Sequence, residues 1–269
     1  MPAPAAPERA THPEPSMEIL LGRRALIRSM LLLAATALVL VWLGRGTDID
    51  LVLADRMFDR AAGVFPWRHA WLTEAFSHGI LKLALTAAAV LTVLAAAVDL
   101  VRPRLAPGLR LRLRIVALSA ILVPLVTSTL KRESIAHCPW DLERYGGGEA
   151  YVRLFDALPQ GALAGHCLPG GHASAALWLL SLVVFWLPHA PRKAMAAAAA
   201  TAAFGLAVGW MQQLRGAHFL THTLWSLWIA VALVLAVTAC LQRRAARPAP
   251  APVLLPPIDA LDEPGEVGA

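Results

Sequence analysis

The chain has 269 residues, 58% of them hydrophobic and 16% charged, with a net charge of +6. That is too apolar for an ordinary soluble domain, and the apolar residues fall in runs of roughly 18–24, long enough to cross a hydrocarbon core of about 30 Å as helices. The basic residues cluster at the ends of these runs, where topology and anionic headgroups account for them and nucleic-acid binding does not.

Residues 1–22 are rich in Pro, Ala and charge and read as a disordered cytoplasmic tail. The first apolar run, near Ala25 to Leu43, follows Arg23 and Arg24 and is of full spanning length, so it reads as a retained span rather than a cleaved signal. An acidic segment with Asp48, Asp50, Asp55 and Asp59 comes next, then FPWRHAWLTEAF, whose mixture of aromatic and polar residues suits an interfacial helix. Span two runs near Ile80 to Val101, and an arginine-rich connection leads to span three, near Ile115 to Leu130. A loop over 131–171 holds most of the unusual polar chemistry. Spans four, five and six run near Ala173–Leu187, Ala194–Met211 and Phe219–Leu241, and 242–269 form a second disordered tail.

The expected fold is therefore all-α, a bundle of six transmembrane helices over 23–241, because a backbone inside the bilayer must satisfy its own hydrogen bonds. Lys and Arg number 14 on the side of the tails and 9 on the side of the long loop. That bias places both termini in the cytoplasm and the 131–171 loop outside. Cys138 and Cys167 share that loop, while Cys240 lies near the end of span six. In an oxidising compartment the first two are able to form a disulfide; two cysteines that never pair are the alternative.

Three polar clusters fall at the outer ends of spans three, four and six. The first is Lys131-Arg132, with His137 beyond it; end-of-helix charge is the plain explanation, but a basic pair on the outer face runs against the topology bias. The second is Pro169-Gly170-Gly171-His172, where glycines and a helix N-terminus make a site for an anion, or only a turn before a helix. The third is Arg215, His218 and His222, spaced i, i+3, i+7 along one face. A guanidinium suits phosphate oxygens, and an imidazole attacks phosphorus or carries a proton. Snorkelling to the headgroups is the alternative for Arg215 alone; two histidines beside it at a span end call for a use.

These clusters resemble the ordered motifs of the type-2 phosphatidic acid phosphatase superfamily, over roughly residues 80–235. The family pattern is Lys, six residues, Arg-Pro; then Pro-Ser-Gly-His; then Ser-Arg, five residues, His, three residues, Asp. The resemblance implies His218 as a nucleophile forming a phosphohistidine and His172 as the general acid for the leaving group. Lys131 and Arg215 would neutralise the phosphate and Gly171 would lend its backbone N–H, at the site Gly170 shares, with no metal or other cofactor. The departures are specific: Cys138 stands for the motif arginine, with Arg132 able to replace its charge, Gly170 stands for Ser, and Gln212 for the third motif's arginine. His222 stands for the Asp that orients the nucleophile.

The expectation is a lipid phosphatase of the bacterial inner membrane, its active site facing the periplasm. The substrate classes are lipid A, undecaprenyl diphosphate, phosphatidylglycerophosphate and phosphatidic acid. A lipid phosphotransferase and a non-catalytic phospholipid-binding protein are the alternatives.

Overall fold

A computed structural model of the chain describes residues 19–246. Most of both expected tails, 1–18 and 247–269, lies outside the described residues. Among them seven longer helices follow in order, α1 Arg23–Gly46, α2 Ile49–Met57, α3 Leu72–Val101, α4 Pro107–Arg132, α5 Gly171–Phe185, α6 Pro191–Leu214 and α7 Leu220–Ala245, with short 3-10 turns at Pro139–Asp141 and Glu143–Tyr145. Among the described residues there is no strand, only the isolated bridges Asp59–Val64 and Leu142–Glu149.

Five helices, α1, α3, α4, α6 and α7, are long and apolar enough to cross a membrane, where the sequence implies six. The difference is α5. It begins with seven α-helical residues, Gly171–Leu177, and continues through eight in a tighter 3-10 helix, Trp178–Phe185. At about 1.5 Å and 2.0 Å of rise per residue the two parts reach about 26 Å. Arg112 of α4 holds the far end, donating to the carbonyls of Val184 (3.0 Å) and Leu187 (2.9 Å). Backbone carbonyls at a helix end need such partners when water is excluded.

Prolines open α4 and α6 at their first turns, where the missing N–H costs no helical bond. α4 lies against α3, α5 and α7, while α6 packs on α5 and α7, and α1 rests against α7. Ile115, Val123, Leu177, Val184 and Ala230 are fully buried at the centre of this bundle. Contact between α6 and α7 is close because Gly209 faces Thr223; a Cβ at Gly209 would overlap that side chain. The opposite faces expose large apolar residues, among them Leu31, Leu38 and Trp42 on α1 and Leu83, Leu91 and Leu94 on α3. A continuous apolar belt of that kind is stable in lipid.

Two boundaries differ from the sequence reading. The segment expected as an interfacial helix forms turns up to Trp71, and α3 then starts at Leu72 in a π-helical stretch reaching Leu81. At the other end of the bundle Leu20 is buried and the Leu21 backbone pairs in both directions with the Gln242 amide, so these residues pack on α7.

The segment between α4 and α5 folds over one end of the bundle. Cys138 and Cys167 are joined by a disulfide, with Cα atoms 5.3 Å apart, which ties the beginning of the segment to its end. Asp55 of α2 accepts from Arg144 Nε (2.8 Å) and Tyr145 Oη (3.0 Å), and that pairing holds the Asp55 carboxyl below its usual range. Phe58, Phe65 and Tyr145 stack edge to face around it, with centroids 5.1–5.3 Å apart. Arg153 pairs with Asp48 and donates to the Thr47 carbonyl at 2.7 Å. Two loops far apart in sequence are thereby fastened together above the helix ends.

Candidate active site

Three chain segments meet under this cap. α4 ends at Lys131-Arg132, α5 begins at Gly171, and residues 215–219 turn from α6 into α7. The turn reverses at Gly216, whose φ of +74° is open to glycine and unfavourable for other residues. It delivers His218 into a fully enclosed position just before α7, where 4% of its surface stays exposed. The His218 ring centroid lies 6.2 Å from that of His172 and 5.7 Å from that of His222. Three of the four histidines singled out in the sequence, His172, His218 and His222, are thus neighbours, while His137 faces Glu149 at 3.7 Å.

Burial pushes the His218 imidazole well below its ordinary value of 6.5, and His222, Lys131 and His172 add to the effect. The side chains acting most strongly on it are all basic. Nδ1 of His218 faces the Cys167 Sγ at 3.4 Å. Both ring nitrogens of His172 and Nδ1 of His222 are buried with no hydrogen-bond partner among the described residues. Unpaired buried polar atoms are rare in folded proteins, and a cluster of them marks a place shaped for a ligand.

Cations converge on the same spot. Arg215 is 7% exposed and is held by three acceptors: the Arg68 carbonyl at 3.0 Å, Gln212 Oε1 at 3.1 Å and Glu74 at 3.4 Å. Its guanidinium also lies over the Trp140 ring, 5.9 Å from the centroid. Gln212, at the position of the third motif's arginine, is fully buried and anchored to Ser77 Oγ at 3.1 Å, so it braces the cation it replaces. Lys131 is half-buried and lies within electrostatic reach of His172, His218 and His222. Arg132, in contrast, points outward and stays exposed.

The two glycines play different parts. Gly170 donates its N–H to the His222 carbonyl at 3.0 Å, and Ser226 Oγ donates to the Gly170 carbonyl at 2.9 Å. Gly170 therefore fastens α5 to α7 and spends its N–H inside the protein. Gly171 opens the helix beside free space, since a Cβ there would meet nothing within 4 Å. A first-turn N–H has no partner within its own helix and is available to an anion.

Several neighbours escaped the sequence reading. His78 of α3 has its ring 4.6 Å from that of His172, and Lys82, one turn on, acts electrostatically on both Lys131 and His172. The signal in the sequence was an ionisable pair at the head of an apolar span; in the structure His78 lies in a π-helical stretch of the kind found near functional sites, and Lys82 just past it. Asp50 of α2 is buried and caps α7 by accepting from the N–H of Thr221 (3.0 Å) and from its hydroxyl. Burial raises the Asp50 pKa while those bonds oppose the rise. Its identity as a cap was hidden because it lies 171 residues from Thr221.

The described residues form an all-helical bundle with five membrane-capable helices and, at one end, a cluster of histidines and cations of a kind suited to an anion such as phosphate. Residues 112–246, half of the chain and all three clusters, match the PAP2 superfamily, and the protein belongs to that superfamily. Membership places it among phosphatases acting on phosphate esters. Comparison with curated proteins and with solved structures returned no match.

Proposed function

We propose that the protein hydrolyses a phosphate ester or diphosphate of a membrane lipid, through a phosphohistidine on His218. The observation that carries this reading is the convergence of Lys82, Lys131 and Arg215 on His172, whose ring nitrogens are buried and unpartnered among the described residues, beside His218 at the end of an apolar bundle. Like charges gathered in a partly buried place repel one another unless an anion joins them.

In the proposed reaction the His218 Nε2 lone pair attacks phosphorus as the bond to the lipid oxygen breaks. His172, protonated in the complex with the anionic phosphate, passes its proton to that oxygen. Water then attacks phosphorus, the P–N bond breaks, and His172 takes a proton from the water as inorganic phosphate leaves. Charge on the transferring phosphoryl group is spread over its equatorial oxygens, and Lys131, Arg215 and the Gly171 N–H are the groups placed to meet it.

A lipid is favoured as substrate by a cavity of about 460 Å³ that reaches His222 from the side of α1 and α4. It is walled largely by apolar residues, including Leu130, Ile135, Phe219, Trp225 and Ile229. We read α5 as the sixth span, its 3-10 half extending a short helix toward bilayer thickness. The Lys and Arg bias and the disulfide, a bond typical of oxidising compartments, favour a site on the periplasmic side of a bacterial inner membrane. Lipid A, undecaprenyl diphosphate, phosphatidylglycerophosphate and phosphatidic acid are the substrate classes of that leaflet.

The intermediate provides the test. Brief incubation of purified protein with a lipid labelled at phosphorus, followed by alkaline quench, should leave one base-stable, acid-labile label on His218. Label on another residue, or hydrolysis at full rate by His218→Ala, would remove the phosphohistidine from the account.

A further inference from the structure

Cys167 is fully buried, bonded to Cys138, and turned so that its Sγ lies 3.4 Å from Nδ1 of His218. The same sulfur sits 3.2 Å from the carbonyl oxygen of Ala217, the residue before His218. Both the ring and the backbone of that turn therefore rest on one disulfide. Cys167 also contributes its own backbone carbonyl, which acts on His218 and on His222. A disulfide sulfur has no hydrogen to give and is a weak acceptor. Of the two nitrogens of a neutral imidazole, the one facing an acceptor keeps the hydrogen, and the other keeps its lone pair.

We propose that Cys167, clamped by its disulfide to Cys138, is the positioning residue for His218, keeping the hydrogen on Nδ1 and the lone pair on Nε2. This deepens the functional proposal and rests on its reading of His218 as nucleophile. The other side chains that act most strongly on the ring are basic: His222 from α7, Lys131 from α4 and His172 from α5. Cys167 orients the ring as a carboxylate would, without bringing a charge.

The same contact makes the site sensitive to the state of the disulfide. A dithiol reductant closes to its own disulfide while Cys138 and Cys167 each gain one electron and one proton. A thiol then stands at Nδ1, and its ionisation, near pH 8.5 for an unperturbed cysteine, places a negative charge there. Reduced protein should therefore show a thiol-range ionisation in kcat that oxidised protein lacks.

The decisive comparison uses two full-length double variants that both lack the disulfide, Cys138→Ala with Cys167→Ser and Cys138→Ala with Cys167→Ala. Phosphate release from short-chain phosphatidic acid is followed against pH, and the His218 tautomer is read by nitrogen-15 NMR. The serine variant, which keeps an acceptor at Nδ1, should exceed the alanine variant about tenfold in kcat with KM within about twofold, the worth of one neutral hydrogen bond. Oxidised wild type and the serine variant should hold His218 as the Nδ1–H tautomer, and the alanine variant, left with only the backbone carbonyl of residue 167, should hold it at a lower population. Equal kcat and equal tautomers in the two variants would overturn the proposal and leave the disulfide a clamp on the loop. If wild type releases no phosphate, the nucleophile reading fails on its own, and the tautomer comparison still decides what Cys167 does. Should neither variant fold, wild type before and after reduction provides the same two readings, and an unchanged tautomer and pH profile would overturn the proposal.

Discussion

Burial of His218 as a neutral imidazole predicts a specific loss of stability in acid. The perturbation is a shift from pH 7.5 to 5.0, applied to wild type and to His218→Gln. In the folded protein the pKa is held well below 6.5, whereas the unfolded chain titrates near the ordinary value. The unfolded chain thus takes up the proton first. The contribution is fully present above pH 6.5 and is lost as the pH falls toward the folded pKa. Each pH unit below 6.5 costs about 1.4 kcal/mol, so one histidine that stays neutral down to pH 5.0 removes about 2 kcal/mol. For a chain of this size that is about 4–8 °C in Tm. Thermal unfolding of detergent-purified protein should show wild type losing that much more than His218→Gln between the two pH values. Parallel losses in the two proteins would refute the claim that His218 is buried uncharged.

Other substitutions probe the supports of the site. Arg215→Lys loses the fork that meets Arg68, Gln212 and Glu74, and should lower kcat/KM by about 10²-fold in a phosphate-release assay while the fold persists. Asp50→Ala leaves the Thr221 N–H buried without its acceptor and should cost about 1–3 kcal/mol, read as a lower Tm. Gly209→Val drives a side chain into Thr223 and should cost a further 1–3 kcal/mol or so, again seen in Tm. Either stability variant retaining the wild-type Tm would show that its contact contributes little.

What could be read from the sequence depended on how local each signal is. Span positions followed from runs of apolar residues, and the three clusters were legible because each lies within a few residues of a helix end. Their meeting at one end of the bundle followed from the alternation of spans. Features that depend on partners distant in the chain were not legible. The 3-10 half of α5 is apolar like any span, and its geometry is tied to Arg112, in a different helix. His78 and Lys82 sit where a span was expected to be starting, so their charge resembled ordinary interfacial residues. That Gly170 spends its N–H on the carbonyl of His222, distant in the chain, has no local signal in the sequence. The pairing of Cys138 with Cys167 was open from sequence, and nothing in the spacing indicated that the resulting sulfur would lie against His218.

His218 and His172 are proposed to perform metal-independent phosphate transfer to water. The most direct measurement is phosphate release by detergent-purified protein from phosphatidic acid, phosphatidylglycerophosphate, undecaprenyl diphosphate and lipid A, with EDTA present. Wild type, His218→Ala and His172→Ala are compared side by side. Release by wild type from at least one of the four, with loss of about 10³-fold or more in both variants, is the predicted result. Release that EDTA abolishes, or that survives in His218→Ala, would contradict it.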